Sequence, residues 1–412
     1  MAISTMSFYG FIQNINPYRR SHKLKQQPIH IFHFNNGSGG GVLSVIQNIL
    51  KYRQHPEIVN HVIYTINKDF VKKFDVPRLT GAASEQVFYY SPKWNFYYTC
   101  RQLAKLLPNN KAVIVAHDWL ELGMMSNLGL QNTVLQFVHG NYDYYYELAN
   151  KHEQSIDRFI TVSPVIHKNL AAMMAHRAKD IFYCRFPVPS VEPGNHENEI
   201  LKLIYCVRRL DDVNKEFRML PLINAALKQK GIHVNWTIVG DGMEKEAVEK
   251  LMGPDTAVTL FTALPNEELI KQLALQDLFI LPSINEGFPV SVVEAMKAGV
   301  IPLTTDWKGA TDELMIDAET GYYFKNGNVE GYASTIEILN KDRILLKEIA
   351  LNGIKKANEL FDPISNCLAI GSLIIQTDVA SQKIKKSVKV YGSRLDQNWL
   401  PNFFTQTLRK FL

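Results

Sequence analysis

Two glutamates eight positions apart, Glu286 and Glu294, lie in the segment whose residue types most clearly suggest chemistry. The apolar run before them, which we interpret as a buried strand, ends at Pro282. Pro289 fits the first turn of a helix, and Gly299 fits the position just after its last turn. The spacing therefore predicts that Glu286 lies in a loop before this helix and that Glu294 lies inside it.

Both predicted carboxylates can face one cleft, and a carboxylate accepts two hydrogen bonds from neighbouring sugar hydroxyl groups. The backbone amides of Gly287 and Phe288, close to the start of the helix, suit phosphate oxygens. One loop could therefore hold both halves of a nucleotide sugar. The alternative is an ordinary amphipathic helix with a solvated polar face made of Ser291, Glu294 and Lys297.

Positive charge follows another predicted strand, Leu201–Val207, where Arg208, Arg209 and Lys215 occur close together. Arginine and lysine bind the neighbouring negative charges of a diphosphate more strongly than neutral groups do. The sequence thus favours a diphosphate site after this strand. The alternative is a solvated loop whose cations pair with the acidic neighbours Asp211, Asp212 and Glu216.

A glycine-rich segment, Asn35–Val42, stands between the first predicted strand and a helix-like stretch, Leu43–Leu50. The amides of such a turn can approach a phosphate closely, and a helix N-terminus favours an anion. The segment lacks the Lys-Ser/Thr pair of a P-loop and fits the dinucleotide-binding glycine pattern poorly. A flexible turn without a ligand is the alternative.

Two histidines end predicted strands of the first half, His117 after Ala112–Ala116 and His139 after Thr133–Val138. A histidine in that position can donate to a sugar hydroxyl or a phosphate oxygen, or transfer a proton. A structural role is the alternative, above all for His117, because Gly140 leaves room beside His139. Neither an Asp-x-Asp pair nor a His/Cys cluster predicts a metal site, so we expect no metal and no cofactor.

Short apolar runs alternate with helix-like stretches along most of the chain, which predicts mainly parallel, doubly wound sheets. The predicted strands are Ile29–Phe34, His61–Ile66, Gln86–Tyr90, Ala112–Ala116, Thr133–Val138, Arg158–Val162, Leu201–Val207, Val234–Val239, Val258–Phe261, Leu278–Leu281 and Val300–Thr304. A proline-rich stretch without a periodic apolar face, Phe186–Glu199, predicts a hinge. The 412 residues then divide into a basic arm at 1–28, two Rossmann-like domains at 29–190 and 191–363, and a crossover helix with a basic tail at 364–412.

The composition is that of a soluble protein, and no apolar run approaches the ~18 to 20 residues of a membrane-spanning helix. The four cysteines lie far apart, which is typical of a cytosolic protein with unpaired thiols. The formal net charge of +5 comes from the ends: residues 1–28 hold four Lys/Arg and no acid, and residues 376–412 hold seven against two. Basic residues do not line a groove beside stacking aromatics, so nucleic acid is not an expected partner.

The last segment of the chain suggests a surface-lying helix with one apolar face and basic neighbours. The apolar residues are Phe403, Phe404, Leu408, Phe411 and Leu412, and the basic residues are Lys383, Lys385, Lys386, Lys389, Arg409 and Lys410. This pattern fits peripheral contact with anionic lipid on the inner face of the cell membrane. The alternative is a tail helix that packs on the first domain or on another subunit.

In their order along residues 29–375, these motifs resemble those of glycosyltransferase family 4, the retaining GT-B enzymes. The pair Glu286 and Glu294, between Pro282-Ser283 and Ala298-Gly299, is similar to the E-x7-E motif of that family. Further similar motifs are Gly40-Gly41-Val42, His139-Gly140, Asp157 with Ile160 and Ser163, Arg209-Leu210 with Lys215, Val239–Gly242 and Asp277. The resemblance implies an α/β fold of the GT-B type, in which two Rossmann-like domains face a cleft.

The resemblance also implies how a nucleotide diphosphate sugar would be bound. Arg209 and Lys215 would hold the diphosphate, with Gly40 and Gly41 close to it and the helix start at Pro289 beside it.

The sugar and the ribose would be bound by the glutamate motif. Glu286 and the amides of Gly287 and Phe288 would bind the transferred sugar, His139 would lie against it near the reacting carbon, and Glu294 would bind the ribose hydroxyls.

Two positions depart from the family pattern. Backbone groups of the segment Phe261-Thr262-Ala263 would receive the base, but Ala263 stands where the family usually has a glycine. Arg208 likewise replaces the glycine that usually precedes the diphosphate arginine, so the base preference is not implied.

The implied reaction is retaining transfer of a hexose-type sugar to a glycan, lipid-linked or small-molecule acceptor, in cell-surface polysaccharide or glycoconjugate synthesis. The family's proposed route uses the departing phosphate oxygen to accept the acceptor's proton, so no protein nucleophile is expected. A nucleotide-sugar epimerase and a non-catalytic GT-B partner subunit are the alternatives.

Overall fold

The structure is a computed structural model that describes residues 27–108, 112–195, 197–210, 212–242, 245–253, 255–262, 264–381 and 384–411. For residues 245, 246, 248, 249 and 411 it describes the backbone alone. The predicted basic N-terminal arm, apart from Gln27 and Pro28, therefore lies outside the described residues. The same holds for Ala263, Lys383 and Leu412.

Seven parallel strands and the helices between them form the first half. The strands are β1 (Ile29–Asn35), β2 (Ile58–Asn67), β3 (Ala82–Tyr90), β4 (Val113–Ala116), β5 (Val134–Val138), β6 (Arg158–Thr161) and β7 (Ile181–Tyr183). The helices are α1 (Gly41–Lys51), α2 (Phe96–Ala104), α3 (Trp119–Leu128), α4 (Asp143–Lys151) and α5 (Pro164–Met173), followed by a 3₁₀ turn, Ala175–Asp180. The spatial order is β3-β2-β1-β4-β5-β6-β7.

Six parallel strands form the second sheet, in the order β10-β9-β8-β11-β12-β13. They are β8 (Lys202–Arg209), β9 (Asn235–Asp241), β10 (Ala257–Phe261), β11 (Leu278–Leu281), β12 (Ile301–Thr305) and β13 (Tyr322–Phe324). Its helices are α6 (Met219–Gln229), α7 (Lys245–Met252), α8 (Asn266–Leu273), α9 (Val290–Lys297), α10 (Val329–Lys341) and α11 (Arg343–Leu360), with a 3₁₀ turn at Val213–Lys215. The predicted α/β class with two doubly wound domains is confirmed, although β7 and β13 were not predicted from the sequence.

The strand order reverses once in each sheet, between β1 and β4 and between β8 and β11. Loops that follow such a pair of strands leave in opposite directions and open a crevice. The glycine-rich segment and His117 follow the first pair, whereas Arg208 lies at the end of β8 and the loop that contains Glu286 follows β11. The topology therefore places these residues at the two crevices, while His139 follows β5 and Phe261 ends the edge strand β10.

After the second sheet the chain returns to the first half through α12 (Pro363–Ala380). Sγ of Cys367 lies 3.6 Å from the carbonyl oxygen of Asn48, and Oγ1 of Thr133 donates to Asp378 at 2.9 Å. By length and composition the stretch Arg343–Ala380, α11 with α12, could cross a membrane, which the sequence analysis did not expect. Charged and uncharged polar residues interrupt its apolar runs, and many of its apolar side chains lie in the core, among them Leu346, Ile349, Ile370 and Leu373.

The tail ends in α13 (Asn402–Phe411), which packs on the first half beside α2. The side-chain amide of Asn95 donates to the carbonyl oxygen of Leu400 at 3.0 Å, and Arg409 donates to that of Trp94 at 2.6 Å. Lys385 is buried, and its ammonium group lies 2.6 Å from the carboxylate of Asp157. The predicted contact of Lys385 with lipid is therefore wrong, because this side chain is used inside the protein.

Candidate functional site

The glycine-rich loop of the first half lies directly against the second half. A Cβ atom built on Gly39 would come within 2.7 Å of Nη1 of Arg208. One built on Gly41 would lie 3.8 Å from Cγ2 of Val290, at the start of α9. Gly40 has a φ of +87°, which a side chain would strain. The loop thus brings its backbone to the cleft, next to Arg208 and the start of α9.

Arg208 belongs to the predicted cluster of cations, although the resemblance assigns the diphosphate to Arg209 and Lys215. Its guanidinium group lies against Gly39, and the aliphatic part of its side chain lies beside Gly40. Burial lowers its pKa, as does neighbouring Arg209, while Asp241 acts in the opposite direction. The sequence feature that could have placed Arg208 in the cleft is its position at the end of β8, next to the crevice.

The helices α1 and α9 both begin at this cleft, and neither has a side-chain cap. Their N-cap residues, Gly40 and Pro289, make no capping hydrogen bond through a side chain, as is also the case for α4, α6 and α8, whereas Asn95 and Asp118 cap α2 and α3. Uncapped N-termini leave amide donors and a positive helix dipole available to an anion. Pro289 precedes the helix instead of lying in its first turn, and Gly299 ends it with a φ of +82°, as predicted.

Lys215 and Glu286 meet between the loops that follow β8 and β11. Their side chains form an ion pair with 2.5 Å between Nζ and Oε1, and they are 26% and 13% exposed. The amide of Ile284 donates to the carbonyl oxygen of Asn214 at 2.8 Å and ties the two loops together. Lys215 therefore pairs with the glutamate of the predicted motif, whereas the solvated-loop alternative expected the three cations to pair with Asp211, Asp212 and Glu216, of which Asp211 lies outside the described residues.

Gly287 lies where the two halves pack backbone against backbone. A Cβ atom at this position would collide with the carbonyl oxygen of His139 and would lie 2.7 Å from Cα of Gly140. The loop of Glu286 consequently rests on the end of β5. Two predicted site residues from different domains, His139 and Gly287, are thereby brought into direct contact.

Glu294 is buried inside α9, with 3% of its surface exposed. It accepts a hydrogen bond of 2.8 Å from the side-chain amide of Asn266, and burial raises its pKa. Lys297 is also buried and donates to the carbonyl oxygens of Val188 and Phe361 at 2.7 and 3.0 Å. The amphipathic-helix alternative is therefore wrong, because these residues face protein and not solvent.

The side chains of the residues expected near the base and the sugar, Phe261, Thr262 and Phe288, differ in how far they are buried. Phe288 is 7% exposed, and its ring packs 6.0 Å from that of Phe186 and 5.1 Å from that of Phe361, so its side chain belongs to the core. Phe261 ends β10 and is half-buried, and Thr262 is exposed. Asn266, shortly after them, connects this segment to Glu294.

His139 and His117 are neutral groups in this setting. Burial lowers the pKa of His139 to about 3 and holds that of His117 well below its usual value. The lowered pKa favours an uncharged His139 near neutral pH.

An open pocket of about 420 Å³ lies beside the cleft, between α1, the hinge and α8. It is lined by Lys51, Tyr52, Glu192 and Lys271 among others, and Asn266 links it to Glu294. It contains none of the predicted site residues. Within the described part of the chain, no group of three His, Cys, Asp or Glu side chains is arranged to hold a metal ion.

Part of the chain is similar in sequence to known glycosyltransferases. Residues 192–356 match the model of the family described as Glycosyl transferases group 1. The chain is 31% identical over 152 residues to the sulfoquinovosyl transferase SQD2 of Arabidopsis thaliana, a match covering 36% of this chain and 29% of that protein. It is 27% identical over 139 residues to the capsular polysaccharide biosynthesis glycosyltransferase CapM of Staphylococcus aureus, covering 32% and 35%. The matches thus span about a third of these curated relatives.

Solved structures are similar over most of the chain. HepE from Anabaena, solved with UDP and glucose, has a TM-score of 0.65 at 16% identity, covering 84% of this chain and 100% of that one. Sucrose-phosphate synthase from Thermosynechococcus elongatus has a TM-score of 0.68 at 17% identity, covering 86% and 100%. At such identity the similarity shows the fold. The chain therefore has the GT-B fold, and its residues 192–356 match the glycosyl transferases group 1 family.

Proposed function

We propose that the protein is a retaining glycosyltransferase of family 4, which transfers a hexose-type sugar from a nucleotide diphosphate sugar. The observation that carries this proposal is the meeting of two uncapped helix N-termini, at Gly40 and Pro289, in a cleft that also holds Arg208 and Lys215. Each of these groups favours an anion, and a diphosphate supplies two neighbouring negative charges.

The same groups suit the chemistry of the proposed reaction. Negative charge grows on the leaving diphosphate, and fixed positive groups stabilise it without reorganising. Glu286 and the amide of Gly287 lie next to Lys215 and serve the transferred sugar, while the buried carboxylate of Glu294 serves the ribose hydroxyls. The departing phosphate oxygen accepts the acceptor's proton, so the reaction needs neither a protein nucleophile nor a metal.

The acceptor in this proposal is a glycan, a lipid-linked glycan or a small molecule, in cell-surface polysaccharide or glycoconjugate synthesis. Support comes from CapM, whose name refers to capsular polysaccharide biosynthesis, and from the family match at residues 192–356.

A thermal-shift screen of nucleotide sugars, combined with Glu294→Ala, tests the donor site. A ligand that binds only the folded protein raises its melting temperature, so the true donor should raise it by several degrees at about 100 times its Kd. Glu294→Ala should remove most of this shift, because it deletes the buried acceptor. The exposed Glu359 provides a control, since Glu359→Ala should keep the full shift. A Glu294→Ala protein that binds and turns over the donor normally would contradict the proposal.

The two alternatives predict different products. A nucleotide-sugar epimerase would convert the donor alone into its epimer, which NMR of the donor and enzyme without acceptor would detect. A non-catalytic partner subunit would show no nucleotide binding by calorimetry.

We also propose that the tail helix contacts the cytoplasmic face of an anionic membrane. α13 is docked with its polar side inward: Thr405 is 0% exposed and Arg409 pairs with Asp396 at 2.5 Å. Its outward side is apolar, since Phe403 is 73% exposed and Phe404 55%. A bilayer would cover this apolar face, and the exposed basic residues Lys386, Lys389, Arg394 and Lys410 match its negative charge.

Vesicle binding tests the contact. The double substitution Phe403→Ser and Phe404→Ser should lower partitioning onto phosphatidylglycerol vesicles at least about tenfold, because each buried aromatic ring contributes roughly 1.5 to 3 kcal/mol. Ile344, 82% exposed on α11, supplies the matched control Ile344→Ser. Equal co-sedimentation of the unsubstituted protein, the double variant and Ile344→Ser would contradict the membrane contact. The tail helix would then face solvent.

A further inference from the structure

Three histidines form a continuous row from the cleft into the first sheet. Nε2 of His139 lies 2.8 Å from Nδ1 of His117, and Nε2 of His117 lies 3.4 Å from Nδ1 of His33. The rings are stacked, with centroids 5.1 and 5.7 Å apart. His33 is 0% exposed and His117 3%, so the row runs inward from the residue that contacts Gly287.

Each ring of the row is uncharged near neutral pH. Burial lowers the pKa of His33 to about 4 and that of His139 to about 3, and it holds that of His117 well below its usual value. A neutral imidazole carries one N–H donor and one acceptor nitrogen. The hydrogen bonds along the row must therefore all have the same donor-to-acceptor direction. The partner of His33, at the inner end of the row, determines that direction.

Asn60 lies at the inner end. It pairs with Ile31 in the parallel register of β1 and β2, two residues before His33, and its side chain interacts with His33. Nε2 of His33 and Oδ1 of Asn60 are both buried without a hydrogen-bond partner of standard geometry among the described residues. Because a carbonyl oxygen only accepts, pairing satisfies both atoms only when Nε2 of His33 carries the hydrogen.

The tautomer of His33 determines the tautomers of the other two histidines, including that of His139 at the cleft. If His33 donates through Nε2, its Nδ1 accepts from Nε2 of His117. Nδ1 of His117 then accepts from Nε2 of His139, whose Nδ1 is left with a lone pair. Nδ1 of His139 makes no hydrogen bond within the described residues and is not one of the buried unsatisfied atoms, so it is accessible from the cleft.

We propose that His33 and His117 are positioning residues that hold His139 in its Nε2–H tautomer and thereby present Nδ1 as a hydrogen-bond acceptor to a ligand hydroxyl group. His139 then recognises a sugar hydroxyl as a donor and does not donate to a phosphate oxygen. The identity of the ligand, a hydroxyl-bearing sugar, rests on the proposed function. The tautomer of His139 is a property of the free protein and is independent of that function.

NMR of the free protein with ¹⁵N-labelled histidine tests the tautomer directly. At pH 7 the ring signals of His139, assigned by their loss in His139→Gln, should be those of a neutral Nε2–H imidazole. A neutral Nδ1–H ring or a charged ring would overturn the inference. Because no substrate is present, this result is independent of whether the protein transfers sugar.

Substitutions in the row supply the functional test. His117→Phe keeps a stacked ring but removes the acceptor, so His139 should show both tautomers and kcat with the donor found in the screen should fall about tenfold, roughly the worth of one hydrogen bond. His117→Asn, whose amide oxygen is as many bonds from Cα as Nδ1, should restore the tautomer and most of kcat. A purely structural role would not produce this rescue.

A matched control comes from the other face of β1. His30 bonds to His61 at 2.9 Å, and His30→Phe should leave the His139 signals unchanged. If His117→Phe does not fold, His33→Leu replaces it, since His33 affects His139 only through His117. An unchanged tautomer and kcat in the folded variants, or a His117→Asn protein that behaves like His117→Phe, would overturn the inference.

Discussion

Replacing Gly287 by alanine is expected to reduce sugar transfer by on the order of 100-fold while leaving both sheets folded. The added Cβ atom would collide with the carbonyl oxygen of His139 and lie 2.7 Å from Cα of Gly140. Both neighbours are backbone atoms, so no flexible side chain can move aside. The two halves would have to separate or the loop of Glu286 would have to shift, and a displacement of about 1 Å in a catalytic site costs roughly this factor in rate.

The measurement is kcat/KM with the donor found in the screen, together with the melting temperature. Gly353→Ala is the matched control, because the nearest atom to a Cβ there is the carbonyl oxygen of Thr320 at 3.4 Å, which is an ordinary van der Waals contact. We expect the control to keep its activity. A Gly287→Ala protein with unchanged kcat/KM would mean that the contact of Gly287 with His139 and Gly140 does not position the site.

Loss of Lys215 should have a comparable effect for an electrostatic reason. Lys215→Gln is expected to lower kcat/KM by on the order of 100- to 1000-fold, the usual consequence of removing one group that stabilises developing charge. The substitution removes a cation next to the proposed leaving diphosphate. It also leaves the carboxylate of Glu286, now 13% exposed and 2.5 Å from Lys215, without its partner.

A double-mutant cycle separates these two effects. The reference is the single variant Glu286→Gln, because Glu286 is itself proposed to bind the sugar. If Lys215 serves only to neutralise Glu286, the double variant Lys215→Gln and Glu286→Gln should be no more impaired than Glu286→Gln alone. If Lys215 binds the diphosphate, the double variant should be more impaired than Glu286→Gln, which is the result we expect. Lys271→Gln is the control, because Lys271 forms a similar 2.8 Å pair with Glu268 on the exposed surface of α8. Equal activity of Glu286→Gln and the double variant would remove Lys215 from the proposed diphosphate site.

Local patterns in the sequence determined most of the strands and the C-terminal end of α9. Eleven strands were predicted because each is an apolar run between turn residues, and Gly299 ends α9 because glycine adopts the required positive φ of +82° without strain. The strands β7 and β13, with three residues each, are too short to show a pattern. The expected convergence of Lys215 and Glu286 is likewise observed, because both follow strands of one parallel sheet.

Only the tertiary structure determined which residues meet across the cleft and which charges are buried. Arg208 against Gly39, Gly287 against His139, and Lys297 on the carbonyl oxygen of Val188 all join segments far apart in the chain. The row of histidines joins three strand ends of one sheet in the same way. Sequence periodicity reports which face of an element is apolar, but it contains no information on what another element places against that face. Such contacts depend on how the two sheets and their loops pack, and that is decided by the whole chain at once.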